Sequence, residues 1–477
     1  MGTISSSLSI ISQALDADQQ ALNVVANNVA NANTPGYTEE TPDWQENQPI
    51  SINGVSYGQG VTETGATSER DRVLESRLDQ QKQLAASSSS RLTALDTLQA
   101  LFTPASGSSS STAGNIGSDI TSFFNSFSAL EANPTDNSMR QSVLSTAGTL
   151  AGDISSAAAS LNSQRSALDQ EAAGSTSQVN ALTGAIAQLN QQIQTTSPDA
   201  DAGTLEDQRQ EDLSQLSQLM GINQITTENN GLEITTTSGQ LLVSEGTSYQ
   251  MTTGMVNGVT DFFVNNTDIT ADLASGGGSL GGYLTARDTD IPNALSSLDQ
   301  LAYSISTSVN KQNNSGTDYD GVEGNVANSA NSALNIFSEP TAVAGSAAGM
   351  SVVMTDPNQI AAAGAGDGTG DNSNAVAMYA LSNQSIVNGQ TPINYFSNFV
   401  TTLGSTVSSV QTENTAQNAS VTQLQTQNDA LSGVNLNDEA SSMTTLERSY
   451  QAASQVFAML NTIMASALNL GDQTAVS

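Results

Sequence analysis

The chain contains no cysteine and no histidine. That excludes disulfides, thiolate or imidazole metal centres, and serine or cysteine nucleophiles activated by histidine. Basic residues are scarce as well: 11 Lys and Arg stand against 46 Asp and Glu, a formal net charge of -35. A surface of that sign repels phosphate backbones and anionic headgroups, so nucleic acid and membranes are not expected partners. Charge of both signs is sparse, since only 12% of the 477 residues carry any, against about 25% in ordinary soluble proteins. The polar surface must therefore be built from Ser, Thr, Asn, Gln and Gly. No apolar run approaches the roughly 18 uninterrupted residues of a spanning helix. The richest, Val456 to Leu470, is broken by Asn461, Thr462, Ser466 and Asn469. A secretory signal needs a basic start, and the first basic residue is Arg70, so no cleaved signal peptide is expected.

Without imidazole or thiol, an enzyme would have to rely on carboxylates, Lys82 or Lys311, none of them in a recognisable motif. The pair Asp438-Glu439 precedes a helical pattern, where negative charge favours the positive end of the helix dipole. Asp318-Tyr319-Asp320-Gly321 starts like a calcium loop but has its glycine in the fourth place instead of the sixth. No catalytic residue, cofactor or metal is expected.

What the chain does have is heptad spacing at both ends. Ile4, Leu8, Ile11, Leu15, Asp18, Leu22, Val25 and Val29 step by four and three, and Met443, Leu446, Tyr450, Ala453, Phe457, Leu460, Met464 and Ala467 step by three and four. Helices with one apolar stripe and little charge need a partner to be stable. The two stripes suit either a terminal coiled coil or two ordinary core helices. The first stripe ends at Thr34-Pro35-Gly36-Tyr37, where Pro supplies a fixed negative φ and Gly the positive φ of a type II turn. The amides Asn27, Asn28, Asn31 and Asn33 ahead of it read as a fraying helix end.

Residues 38–67 read as an extended connector or hairpin. Helical spacing resumes at Leu74, and a long heptad run carries Ile154, Leu161, Leu168, Leu182 and Leu189. Residues 103–117 read as a linker. Ile222 to Phe263 alternates in the manner of antiparallel hairpins. The expected fold is mainly α with a β insert: terminal helices paired as a coiled coil, an inner bundle of long helices, and a projecting antiparallel β domain. The corresponding divisions are 1–37 with 433–477 for the coil and 38–67 for the connector. Residues 68–221 with 285–312 and 371–432 would make the bundle, and 222–284 with 313–370 the β-rich part.

The run Ala26-Asn27-Asn28-Val29-Ala30-Asn31-Ala32-Asn33-Thr34-Pro35-Gly36-Tyr37 resembles the N-terminal signature of the flagellar rod, hook and hook-associated axial proteins. Asn133-Pro134-Thr135 with Arg140-Gln141, Leu205 to Gly221, Gly281-Gly282-Tyr283-Leu284, Val434-Asn435-Leu436, Asp438-Glu439-Ala440 and Tyr450-Gln451-Ala452 are similar to the hook-associated branch. Ser449 stands where that family usually has Gln or a similar polar residue. The resemblance implies a secreted structural protein of the bacterial flagellum at the hook–filament junction, needed for filament assembly and exported by the flagellar type III apparatus. It makes the terminal stripes an assembly seam that self-assembles around the export channel. The implied partners are further copies in a ring or helical layer, the hook protein, the second junction protein (hook-associated protein 3), and an export chaperone at the C-terminal helix. The alternatives are another axial protein, hook or distal rod, and a carboxylate-based glycan hydrolase carried on an appendage.

Overall fold

The computed structural model describes residues 2–52, 55–103, 115–196, 201–228, 230–324 and 334–473. The chain is mainly helical, with small antiparallel sheets. Helix α1 (Gly2–Asn31) leads into a two-stranded ribbon made of β1 (Glu40–Glu46), β2 (Ile50–Ile52), β3 (Val55–Tyr57) and β4 (Val61–Ser68). In it β1 pairs with β4 and β2 with β3, so the described residues among 40–68 follow the course of one long hairpin. It packs along α1, where Asn47 Nδ2 donates to Gln13 Oε1 at 3.0 Å and Gly60 sits against Ile10.

Helix α2 (Arg72–Phe102) starts where Asp71 accepts from the backbone N–H groups of Val73 and Leu74, an N-cap that satisfies two otherwise orphaned donors. Then come α3 (Ile116–Ala132), α4 (Asn137–Thr196) and α5 (Thr204–Leu219). Helix α4 runs for 60 residues, about 90 Å at 1.5 Å per residue. Its heptad stripe lies in two different cores. Leu144 to Leu168 joins the first, with Leu95, Leu98 and Phe102 of α2 and the phenylalanines of α3. There Phe123 meets Phe124, Phe127 and Phe337 with ring centroids 5.2, 5.4 and 5.4 Å apart.

Ala172, Val179 and Ile186 join the second core, with α5 and a pair of sheets. One sheet is β5 (Ile222–Thr226), β6 (Leu232–Thr236), β7 (Leu241–Ser244) and β8 (Thr247–Ser248); the other is β9 (Met251–Val256), β10 (Val259–Val264) and β11 (Thr267–Asp268). Helices α6 (Thr270–Gly276) and α7 (Gly278–Thr285) close this core, so the end of segment 222–284 is helical and not β. The glycines of Gly281-Gly282-Tyr283-Leu284 have a steric cause: a Cβ on Gly282 would collide with the Ser87 carbonyl and the Arg91 N–H of α2.

Helix α8 (Ile291–Asn313) returns to the first core. The expectation that 313–370 completes the β part is overturned. Apart from the two-residue strands β12 (Gly316–Thr317) and β13 (Ala363–Gly364), one 3-10 turn at Pro357–Gln359 and isolated bridges, the described part of this segment is irregular. Leu334, Ile336, Phe337, Met350 and Ile360 are buried in the first core. Its Gly, Ala and Asn residues give no alternating face to pair as a sheet. Side chains of α8 satisfy its backbone instead. Asn310 Oδ1 accepts from Ile336 and Phe337 N–H at 3.0 Å each, while Asn313 Nδ2 donates to the Leu334 carbonyl at 2.7 Å. Arg140 plays the same part: its Nε and Nη2 donate to the Pro134 carbonyl at 3.1 and 2.6 Å and its Nη1 to that of Ile360. That accounts for the pairing of Asn133-Pro134-Thr135 with Arg140 in the sequence.

After α9 (Ser373–Ala380), the 41-residue α10 (Pro392–Ser432) lies along α2, and α11 (Leu436–Gln473) doubles back onto α1. The expected linker 103–117 falls mostly on residues outside those described.

Candidate functional site

The two ends of the chain meet at one place. Asn435 caps α11 by accepting from the Asn437 N–H at 3.1 Å, and Asp438 and Glu439 occupy the first turn. From there α11 runs antiparallel to α1. Along α11 the half-buried positions are Met443, Leu446, Ala453, Ser454, Phe457, Leu460, Met464 and Ala467, whereas Tyr450 is exposed. On α1 the most covered line is displaced. Ala17, Ala21, Val25 and Asn28 are buried, while Ile4, Leu8, Ile11, Leu15 and Leu22 are half-buried and Val29 is 39% exposed. The cause is a second partner: α1 carries α11 on one face and the ribbon on another, so the residues between those faces are covered most.

At the end of α1, Gly36 has φ +78° and the Tyr37 N–H donates to the Thr34 carbonyl at 3.2 Å, closing a turn over Pro35. That turn delivers Tyr37 to Asn28. Asn28 is not part of a frayed end, as the amide run suggested, but 1% exposed and fully bonded. Its Oδ1 accepts from Tyr37 Oη at 2.8 Å and from the Glu40 N–H at 3.1 Å. Its Nδ2 donates to the Glu40 carbonyl at 2.8 Å and to Glu439 Oε1 at 2.7 Å. One amide thus ties α1 to the turn, to β1 and to α11. The available sequence signal is its place on the Ala17, Ala21, Val25 line, in steps of four, four and three.

Around this elbow sit many acids and few bases. Arg70 Nη2 donates to Asp207 Oδ1, and its other nitrogens lie 3.5 Å from Glu75 Oε1 and 3.8 Å from Glu206 Oε2. Arg72 and Arg209 also face Glu206. Asp207 accepts from the Thr38 N–H, and Asp201 from the Ser68 N–H and hydroxyl, so α5 and the segment before it grip both strands of the ribbon at its base. Burial pushes up the carboxyl pKa of Glu439, Glu40 and Asp207. It also pushes the Tyr37 phenol upward, with Glu40 adding to the effect. Glu75 rises to about 7, because burial outweighs an Arg70 that bonds mainly to Asp207. No cluster among the described residues could hold a metal ion. What the arrangement offers is adhesion, with apolar helix faces fixed in angle by a buried polar joint.

Residues 106–326 match the family described as flagellar hook-associated protein FlgK helical domain, and residues 8–38 match that of the flagella basal body rod protein. Flagellar hook-associated protein 1 of Escherichia coli is 26% identical, over 96% of this chain and 98% of its own. Its counterparts in Salmonella typhimurium and Bacillus subtilis are each 24% identical, over 96% of this chain and 98% and 96% of theirs. Among solved structures, the flagellar hook junction protein FlgK of Burkholderia pseudomallei shares the fold, with TM-score 0.62 at 19% identity, over 74% of this chain and 99% of that one. Matches that run nearly end to end, and that take in both the terminal signature and the helical domain, place the sequence: over almost its whole length the chain is similar to flagellar hook-associated protein 1.

Proposed function

We propose that the chain acts by interface complementarity alone, as the structural subunit that joins hook to filament and allows the filament to assemble. The observation that carries this reading is the pairing of α1 with α11. The two extreme segments of the chain lie side by side with their apolar seam only half covered, a state that further copies would complete. The seam residues Ile4, Leu8, Ile11, Leu15, Leu22, Val25 and Val29 then work with Met443, Leu446, Tyr450, Ala453, Phe457, Leu460 and Met464, and Thr34 to Tyr37 sets the angle to the rest. The chain is a flagellar component that self-assembles with other axial proteins. Its proposed neighbours are the hook protein on one side and hook-associated protein 3 on the other, with an export chaperone covering the C-terminal helix before assembly. It works outside the cell, needs no cofactor and catalyses no reaction. No helix among the described residues is long and apolar enough to cross a membrane.

Deletion followed by electron microscopy tests the reading. Hooks that persist without filaments are expected; absent hooks would point to a hook or distal rod subunit instead.

A further inference from the structure

Near the tip of the ribbon, the described residues include an apolar face that stands about half exposed. Ile50 pairs with Tyr57, and Val55 lies two residues before Tyr57, so these three side chains share one face while Ser51 and Ser56 take the other. Alternation of this kind marks a half-buried strand. Yet Ile50, Val55 and Tyr57 are 42, 54 and 50% exposed. A two-stranded sheet is marginal without such burial.

Helix α11 has a matching surplus. Beyond its seam, Arg448, Ala452, Val456, Met459 and Ile463 follow at steps of four, four, three and four along a second face, and all are exposed, Met459 at 64%. Arg448 is the single basic residue among 1–69 and 433–477. Among the described residues it has no acidic partner. The ribbon holds only acids, Asp43, Glu46 and Glu63 among them.

Ribbon and α11 both lie along α1 but on different faces, without extensive packing between them among the described residues. We propose that the ribbon tip of one copy docks on the outer face of α11 of the next copy, its apolar face on Val456, Met459 and Ile463 and an acid of the ribbon on Arg448. Two different patches on two flanks of one helix make a heterologous contact, which repeats around a ring or along a helix and does not stop at a dimer. This rests on the reading that the chain polymerises, and it names the lateral contact.

Because the chain lacks cysteine, crosslinking reads the contact directly. Full-length Tyr57→Cys and Met459→Cys variants are co-expressed in cells deleted for the parent and oxidised after assembly. A disulfide between the two variants is expected in isolated hook–filament particles and absent from the monomeric mixture. Ser56→Cys, on the other face of the ribbon, should give none. In parallel, Arg448→Glu should weaken lateral association about threefold, as for a single exposed ion pair, and Glu46→Arg or Glu63→Arg in the same chain should restore it. Variants present at the junction by electron microscopy but never crosslinked would overturn the docking and leave the proposed function standing. Variants absent from the junction while filaments still form would overturn the function itself.

Discussion

Asn28 offers the sharpest perturbation, because its role is local and its bonds can be counted. In Asn28→Ala the Tyr37 hydroxyl, the Glu40 N–H and carbonyl, and Glu439 Oε1 all lose a partner at a site that is 1% exposed. Leaving a buried polar group unpaired costs about 1 to 3 kcal/mol. Tyr37 and Glu40 are only half-buried, so water replaces part of the loss; a net cost of about 2 to 4 kcal/mol follows. Asn28 belongs to neither hydrophobic core, so the cost falls on docking of the coil. Hydrogen exchange should accelerate about 30-fold to 1000-fold in residues 24–46 and 433–443, at 1.4 kcal/mol per decade. The main thermal transition should move by less than about 2 °C. Asn28→Asp refines the test. Asp keeps the acceptor for Tyr37 and Glu40 but sets a carboxylate against Glu439, whose pKa burial already raises. Docking then requires an extra proton, so slow exchange should return as pH falls and be lost as it rises. Unchanged exchange in Asn28→Ala, or a collapse of the main transition, would refute the view of Asn28 as a joint.

Three further outcomes follow from the same structure. Glu75 has a folded pKa of about 7 against an ordinary 4.5, so the fold takes up a proton there; stability is greatest below the ordinary value and declines as pH rises to about 7. Glu75→Gln should flatten that slope in urea titrations at pH 5 and pH 8, and an unaltered slope would assign it elsewhere, for instance to Asp119 beside Asp153, which also rises to about 7. Gly36→Val should destabilise the elbow by about 1 to 2 kcal/mol and Gly36→Asn by less, because φ is +78° while a Cβ would find its nearest neighbour, Glu211 Oε2, at an ordinary 3.6 Å; equal motility for Val and Asn would contradict this. Leu22→Asp and Phe457→Asp each place an unpaired charge in the half-covered seam and should abolish filaments while both cores keep their melting behaviour; normal filaments would remove the seam from the assembly surface.

The sequence was legible where one period repeats. Apart from the exposed Tyr450, the heptads of residues 443–467 fall on the less exposed face of α11, and the 222–263 alternation emerges as strands. The pattern misled where a helix has two partners. On α1 the apolar stripe predicts a seam through Leu22 and Val29, but the ribbon draws the most covered line round to Ala17, Ala21 and Asn28. It was silent where side-chain amides replace sheet. Nothing in the composition of 334–362 shows that Asn310 and Asn313 would carry its backbone into the first core. The elbow was hidden for a similar reason: Arg70, Glu75, Glu206 and Asp207 come from segments more than a hundred residues apart, and no local rule joins them.

The placement of stiffness follows from the same contacts. Helix α4 passes without interruption from one core into the other, and α2 is buried against partners at both its ends. Bending between the cores would require breaking the hydrogen-bond ladder of a 60-residue helix. The coil of α1 and α11 is joined to this body differently, through the Thr34 to Tyr37 turn, the N–H groups of Thr38 and Glu39 that donate to Asp207 and to the Ser432 carbonyl, and the Arg70 cluster. Opening that joint exposes few apolar side chains and lets water replace most of the lost bonds, so its cost is a small fraction of that of deforming a core. A subunit placed between two different lattices has to adapt its angle somewhere. The energetics put that adjustment at the elbow, leaving the helical body rigid and the apolar faces of the coil intact.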